Sequence, residues 1–221
     1  MKAAVDQVVA EQGAVGVLIN NAGYSQSGAI ETVSIEKARR QFETNLFGAV
    51  RLIQLVLPGM REQALGRIIN ISSMGGKLTY PGGGFYHASK FALEGLSDVL
   101  RFETAGFGIQ TVVIEPGLIR TAFADTVTRE IDLDEDTVYD AFNQAVDVMT
   151  QGAYRKGGGF AMLSRSPDRV AQVIEKAINA RRPRARYRTD LPGTVLLVLR
   201  RLLGDRGWDR LLKRNYPQPG R

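Results

Sequence analysis

Apolar and polar positions follow two rhythms along this chain, one with a helical period and one in short apolar runs. Residues 3–12 place Ala4, Val5, Val8 and Val9 on one helical face, and Gly13 stands where such a turn terminates. An apolar run over residues 15–20 follows and ends in Asn20-Asn21-Ala22-Gly23. The same pattern, a β-rich stretch and then a turn, recurs at residues 67–73 (RIINISS) and 110–115 (QTVVIE). Helical stretches at 35–57 and 85–107 separate these runs. Helix and strand therefore alternate, which predicts a parallel sheet with helices on both faces.

Beyond Pro116-Gly117 the rhythm loosens into a polar, mixed stretch over about 122–165, carrying Asp132, Asp134, Glu135, Asp136 and the run Gly157-Gly158-Gly159. An insertion of this length predicts a substrate lid. Phe123, Tyr139, Phe142, Met149, Phe160 and Met162 are available to line it, or to serve as ordinary packing. Ser166-Pro167-Asp168 combines an N-cap, a proline at the first helical position and an acid in the first turn, opening a helix to about Ala180. Residues 185–189 read as a last strand, and about 191–221 as a basic, amphipathic helical tail. No repeat or linker divides the chain, so residues 1–221 are expected to form one domain.

Composition narrows the chemistry. The 221 residues contain no cysteine and one histidine, His87, which excludes disulfide frameworks, Cys-His dyads and multi-ligand zinc sites. Hydroxyls, Lys, Asn and carboxylates remain. The start has no apolar signal core and the aliphatic run at 195–199 is far shorter than a membrane span, so a cytoplasmic location is expected. The net charge of +6 is unevenly placed: residues 181–221 carry 12 Lys/Arg against 3 Asp/Glu, and the rest is mildly acidic. Such a tail fits an anionic membrane surface or nucleic acid, but without aromatic interleaving it reads first as a solvated face.

Four residues carry candidate chemistry. Tyr86 and Lys90 are four apart in Tyr-His-Ala-Ser-Lys and project from one helix face. An ammonium beside a phenol favours the phenolate and brings its pKa toward working pH. Ser73 closes the second strand thirteen residues before Tyr86, and ligands of open α/β sheets lie at the C-terminal strand ends. Asn45 falls among Phe42, Leu46, Ala49 and Ile53 on the apolar face of its helix. It is either a satisfied core amide or part of a site.

Together Asn45, Ser73, Tyr86 and Lys90 resemble the catalytic tetrad of the short-chain dehydrogenase/reductase family. Asn20-Asn21-Ala22-Gly23 and Pro116-Gly117-Leu118-Ile119-Arg120-Thr121 resemble two further motifs of that family, over a similarity reaching from about residue 1 to about 190. The resemblance implies a Rossmann-like doubly wound parallel sheet, three layers α/β/α. It implies an NAD(P)-dependent oxidoreductase acting on a carbonyl or alcohol, with NAD or NADP as cofactor, and a homo-oligomer. By the same resemblance Tyr86 is the general acid/base, Lys90 lowers its pKa and binds the nicotinamide ribose, Ser73 polarises the carbonyl and Asn45 holds a water leading to Lys90. Asn20, Ala22 and Gly23 would line the adenosine side, and Pro116, Gly117, Ile119 and Thr121 would frame the nicotinamide.

One family motif is missing from this sequence. The glycine-rich turn T-G-x-x-x-G-x-G does not occur, and neither Gly82-Gly83-Gly84 nor Gly157-Gly158-Gly159 follows a strand as it should. Met1 falls inside a helix, so the family's first three strands are expected to be absent, leaving an apolar sheet edge beside residues 15–20. A longer active protein and an impaired fragment serving as a non-enzymatic interaction subunit are the two readings of that difference.

Overall fold

The structure, a computed structural model, describes residues 1–120, 137–154 and 165–220. Its centre is a sheet of four strands, β1 (Val17–Asn20), β2 (Gly66–Ile71), β3 (Ile109–Glu115) and β4 (Arg186–Arg188), in the spatial order β1-β2-β3-β4. All three pairings are parallel, with Asn20 opposite Asn70, Ile71 opposite Ile114, and Ile114 opposite Tyr187. Each crossover contains a helix, as parallel neighbours require. The architecture is the doubly wound α/β arrangement that the alternating pattern predicts.

β2 and β3 are rich in isoleucine and valine because both of their faces are buried. On one face Ile68 and Ile109 pack with Ile53, Val56 and Met60 of α3 (Gly48–Glu62) and Leu100 of α4 (Gly84–Thr104). On the other, Ile69, Ile71, Val112 and Ile114 pack with Val173 and Ala177 of α6 (Pro167–Asn179). β1 is the open edge: Leu18 joins the first cluster, while Val17 and Ile19 stay 40% and 41% exposed. α1 (Lys2–Gln12) forms and ends at Gly13, whose N–H reaches the Val9 carbonyl at 2.8 Å. Its apolar face is nonetheless not a core face. Val5 alone packs on the first cluster, and Val8 and Val9 are exposed, because little of the core reaches this edge of the sheet.

The helix expected over 35–57 is one helical run in three parts. α2 (Ile35–Phe42) is capped by Ser34, Glu43–Phe47 is a π-helical turn, and α3 continues through Pro58 to Glu62. The proline does not end the helix because Met60, fully buried, anchors the following turn. Inside the expected lid stands α5 (Asp140–Tyr154), whose Val146 is buried against Gly82; residues 121–136 and 155–164 lie outside the described residues.

The short β4 is fastened by charge. Arg186 contacts Glu94 at 3.1 Å, Asp98 at 2.7 Å and Glu115 at 3.2 Å, and Lys77 contacts Glu94 at 3.0 Å. Glu94 and Glu115 are buried, where an unpaired carboxylate would be costly, so these contacts tie β4 to α4 and β3. α7 (Leu191–Leu212) follows, kinked at Gly204. Among the described residues no helix is long and apolar enough to cross a membrane.

Candidate active site

The C-terminal ends of the four strands deliver the site. Asn20 ends β1, Ser72-Ser73 follows β2, Pro116-Gly117 follows β3 and Thr189-Asp190 follows β4. A hydrogen bond from Met74 N–H to the Pro116 carbonyl, 2.8 Å, carries the pairing one step past the sheet and locks the second loop to the third. Tyr86 sits in the first turn of α4, and Lys90 lies one turn further on the same face. The helix buries Lys90, Leu93, Glu94, Ser97, Leu100 and Thr104 at helical spacing. Ser97 and Thr104 return their hydroxyls to the Leu93 and Leu100 carbonyls at 2.6 and 2.7 Å, which lets small polar residues occupy that face.

The four residues singled out in the sequence are brought together. The Ser73 hydroxyl is hydrogen-bonded to the Tyr86 phenol and accepts the Gly75 N–H at 3.0 Å. The Lys90 ammonium donates to the Ile71 carbonyl at 2.9 Å and lies 5.9 Å from the centre of the Tyr86 ring. Asn45, in the π-helical turn, accepts the Tyr24 N–H at 3.0 Å and donates to the Tyr24 carbonyl and to Ser89 Oγ at 2.9 and 3.0 Å. Ser89 Oγ in turn donates to the Tyr86 carbonyl at 2.7 Å. Asn45 thus braces both the loop after β1 and the first turn of α4.

The electrostatics depart from the sequence expectation. Burial raises the Tyr86 phenol to about 12, with the Ser73 hydrogen bond working the other way, and Lys90 does not reverse this. Burial also lowers Lys90 to about 8 against a smaller opposing effect of Glu94. Both groups are held toward their neutral forms, because the site excludes water more strongly than it concentrates charge. Tyr86 therefore carries its proton at neutral pH.

The flanking motifs divide. Asn20 donates to Asn70 Oδ1 at 2.8 Å, and Asn70 to Ser97 Oγ at 2.8 Å, a buried amide ladder that joins β1, β2 and α4. Ala22 and Gly23 are exposed. A side-chain Cβ on Gly23 would lie 3.1 Å from Asn45 Oδ1 and 3.4 Å from Lys90 Nζ, so glycine keeps open the space beside the ammonium. Ile119 pairs with Arg165 through an isolated parallel bridge; Thr121 lies outside the described residues.

Sequence reasoning missed two positioning groups. His87 Nδ1 lies 2.9 Å from the Gly75 carbonyl and Nε2 accepts the Tyr80 N–H at 3.0 Å, which assigns the proton to Nδ1 and pins the loop carrying Ser73. Burial holds its pKa below the usual value. Asp190 Oδ2 accepts the Gly117 N–H at 2.9 Å, while Oδ1 caps α7 through Gly193 N–H at 2.6 Å. A Cβ on Gly117 would fall 2.3 Å from that carboxylate. The Asp-Leu-Pro cap of α7 is legible in sequence, but its reach to a glycine 73 residues earlier is not. Replacing Asp190 by Ala frees both amides; a melting temperature lower by roughly 2–8 °C is expected, for a loss of about 1–2 kcal/mol.

A family model for short chain dehydrogenases matches residues 1–132. The chain belongs to the short-chain dehydrogenase/reductase family. It is 34% identical over 211 residues to the uncharacterized oxidoreductase YbbO of Escherichia coli strain K12, covering 95% of this chain and 72% of the relative. It is 46% identical over 125 residues to a protein of Bacteroides thetaiotaomicron named 3-ketodihydrosphingosine reductase, covering 57% of this chain. That match spans less than half of the relative's length, 46%. A solved short chain dehydrogenase/reductase from Burkholderia phymatum in complex with NAD superposes with a TM-score of 0.73 at 26% identity, covering 99% of this chain and 74% of that one.

Proposed function

We propose that this short-chain dehydrogenase/reductase transfers hydride between NAD or NADP and a carbonyl or alcohol, with Tyr86 as general acid in reduction and general base in oxidation. The observation that carries the reading is the hydrogen-bonded Ser73–Tyr86 hydroxyl pair beside a buried Lys90 ammonium at the strand ends. The residues present fit a nicotinamide cofactor. Among the described residues Lys90 donates to one acceptor, the Ile71 carbonyl, so further N–H donors are available for ribose hydroxyls, and Gly23 leaves room next to it. Pro116, Gly117 and Ile119 would frame the nicotinamide, with the Gly117 backbone fixed by Asp190. The bound cofactor supplies the hydride.

The chain's own groups handle the proton. As the carbonyl oxygen gains charge, the Ser73 hydroxyl donates a hydrogen bond to it and the Tyr86 Oη–H gives up its proton. Lys90, charged below about pH 8, stabilises the phenolate left behind. Asn45 Oδ1 offers its second lone pair to a water serving Lys90. The keto-reductase name of the Bacteroides relative supports a carbonyl substrate, and Tyr139 and Phe142, in edge contact at 6.4 Å, would form part of an apolar wall for it.

Titration of the folded chain with NADH and NADPH, followed by nicotinamide fluorescence with circular dichroism on the same sample, tests the reading. Saturable binding at micromolar concentrations is the expected result. A folded chain that binds neither cofactor would instead favour the second reading, an interaction subunit without catalysis.

A further inference from the structure

α7 presents a face that the fold leaves uncovered. Leu191, Val195, Val198 and Leu202 are 70%, 54%, 50% and 78% exposed, and their spacing of four, three and four residues aligns them in one stripe about 16 Å long. Single exposed aliphatic residues are ordinary on a protein surface; a straight row of four is not.

The chain is fastened on both sides of the stripe, at the start of α7 and beyond its kink at Gly204. Asp190 caps its first turn and holds Gly117, and Trp208, 2% exposed, donates from Nε1 to the Thr79 carbonyl at 3.1 Å. Arg201, Arg206, Arg210, Lys213 and Arg214 are exposed along and beyond the helix. The acids of this segment are fewer: Asp205 is paired with Arg200 at 2.5 Å, and Asp209 remains.

We propose that α7 lies on anionic lipid, the aliphatic stripe entering the interface and the exposed basic side chains of Arg201 and of the segment beyond the Gly204 kink meeting the headgroups. The charge selects this occupant. A second copy docking through the same stripe would bring two positive surfaces together. A nucleic acid backbone would satisfy the arginines and leave the aliphatic row in water. An anionic bilayer satisfies both.

Sedimentation of the full chain with vesicles tests the assignment, using phosphatidylcholine alone and phosphatidylcholine mixed with phosphatidylglycerol, against a vesicle-free control. The wild type is expected to partition about tenfold or more in favour of the anionic vesicles, and less at high salt. The exposed double variant Val198→Gln/Leu202→Gln should lose about tenfold on anionic vesicles. Arg206→Gln/Arg210→Gln should lose about tenfold on anionic vesicles and nothing on neutral ones. Equal partition into both vesicle types, or no effect of the Val198/Leu202 variant, overturns the proposal. So does a dimer in light scattering that this variant abolishes, which would assign the stripe to a second copy.

Discussion

Tyr86→Phe is expected to lower carbonyl reduction by ~10²–10⁴-fold, the range that one positioned proton donor contributes, while NADH and NADPH affinities stay near those of the wild type. The change deletes one oxygen and keeps the ring, so packing against His87, at 5.6 Å between ring centres, and under Lys90 is preserved. Steady-state rates and a fluorescence titration on the same preparation separate the two effects. Activity within a few-fold of wild type would remove Tyr86 from the proton path and leave Ser73 or a bound water as donor. The elevated phenol, about 12, adds a direction: at neutral pH the resting group carries its proton and is ready for reduction, whereas oxidation must first take it away.

Lys90→Met is expected to trade activity for stability. Holding the ammonium in a buried site lowers its pKa from 10.5 to about 8, which corresponds to roughly 3 kcal/mol charged against the folded state at neutral pH. Methionine fills similar space without that charge but leaves the Ile71 carbonyl unpaired, a loss of about 1 kcal/mol. A net gain of about 2 kcal/mol, or roughly 4–8 °C in melting temperature at pH 7, is the expected outcome. The pH dependence identifies the cause. The wild type folds around a lysine that releases its proton near 8 while the unfolded chain keeps it to 10.5, so wild-type stability rises across that window and the advantage of the variant shrinks. Carbonyl reduction falls by at least ~10²-fold, since the phenolate then loses the neighbouring positive charge. A variant no more stable than wild type at pH 7 would show that Glu94 compensates the buried charge more fully than its smaller opposing effect implies.

Both predictions use residues that the sequence makes visible, and the reason is local. Tyr86 and Lys90 share a helix face because they are four apart, and Ser73 stands at a strand end because an apolar run stops there. Parallel strands buried on both faces are largely apolar, so the isoleucine and valine runs of β2 and β3 announce themselves, as does the alternation that dictates a doubly wound sheet. The segment over 122–165 hides α5 because its apolar positions are diluted with acids and glycines. The helix predicted to end before Pro58 runs on to Glu62, since burial of Met60 outweighs a local breaker.

What only the tertiary structure decided are the contacts between residues far apart in the chain, and the balance of burial against charge. Spacing places Lys90 next to Tyr86 but says nothing of how dry their surroundings are, and dryness is what sets the phenol high and the ammonium low. The Asn45–Ser89 hydrogen bond spans 44 positions and the Asp190–Gly117 bond 73, distances over which no periodicity carries information. The tail reads in sequence as a basic, amphipathic helix. Which side of it faces solvent is a tertiary matter: Asp190 holds its start, Trp208 holds the segment beyond the Gly204 kink, and an aliphatic row between them is left exposed.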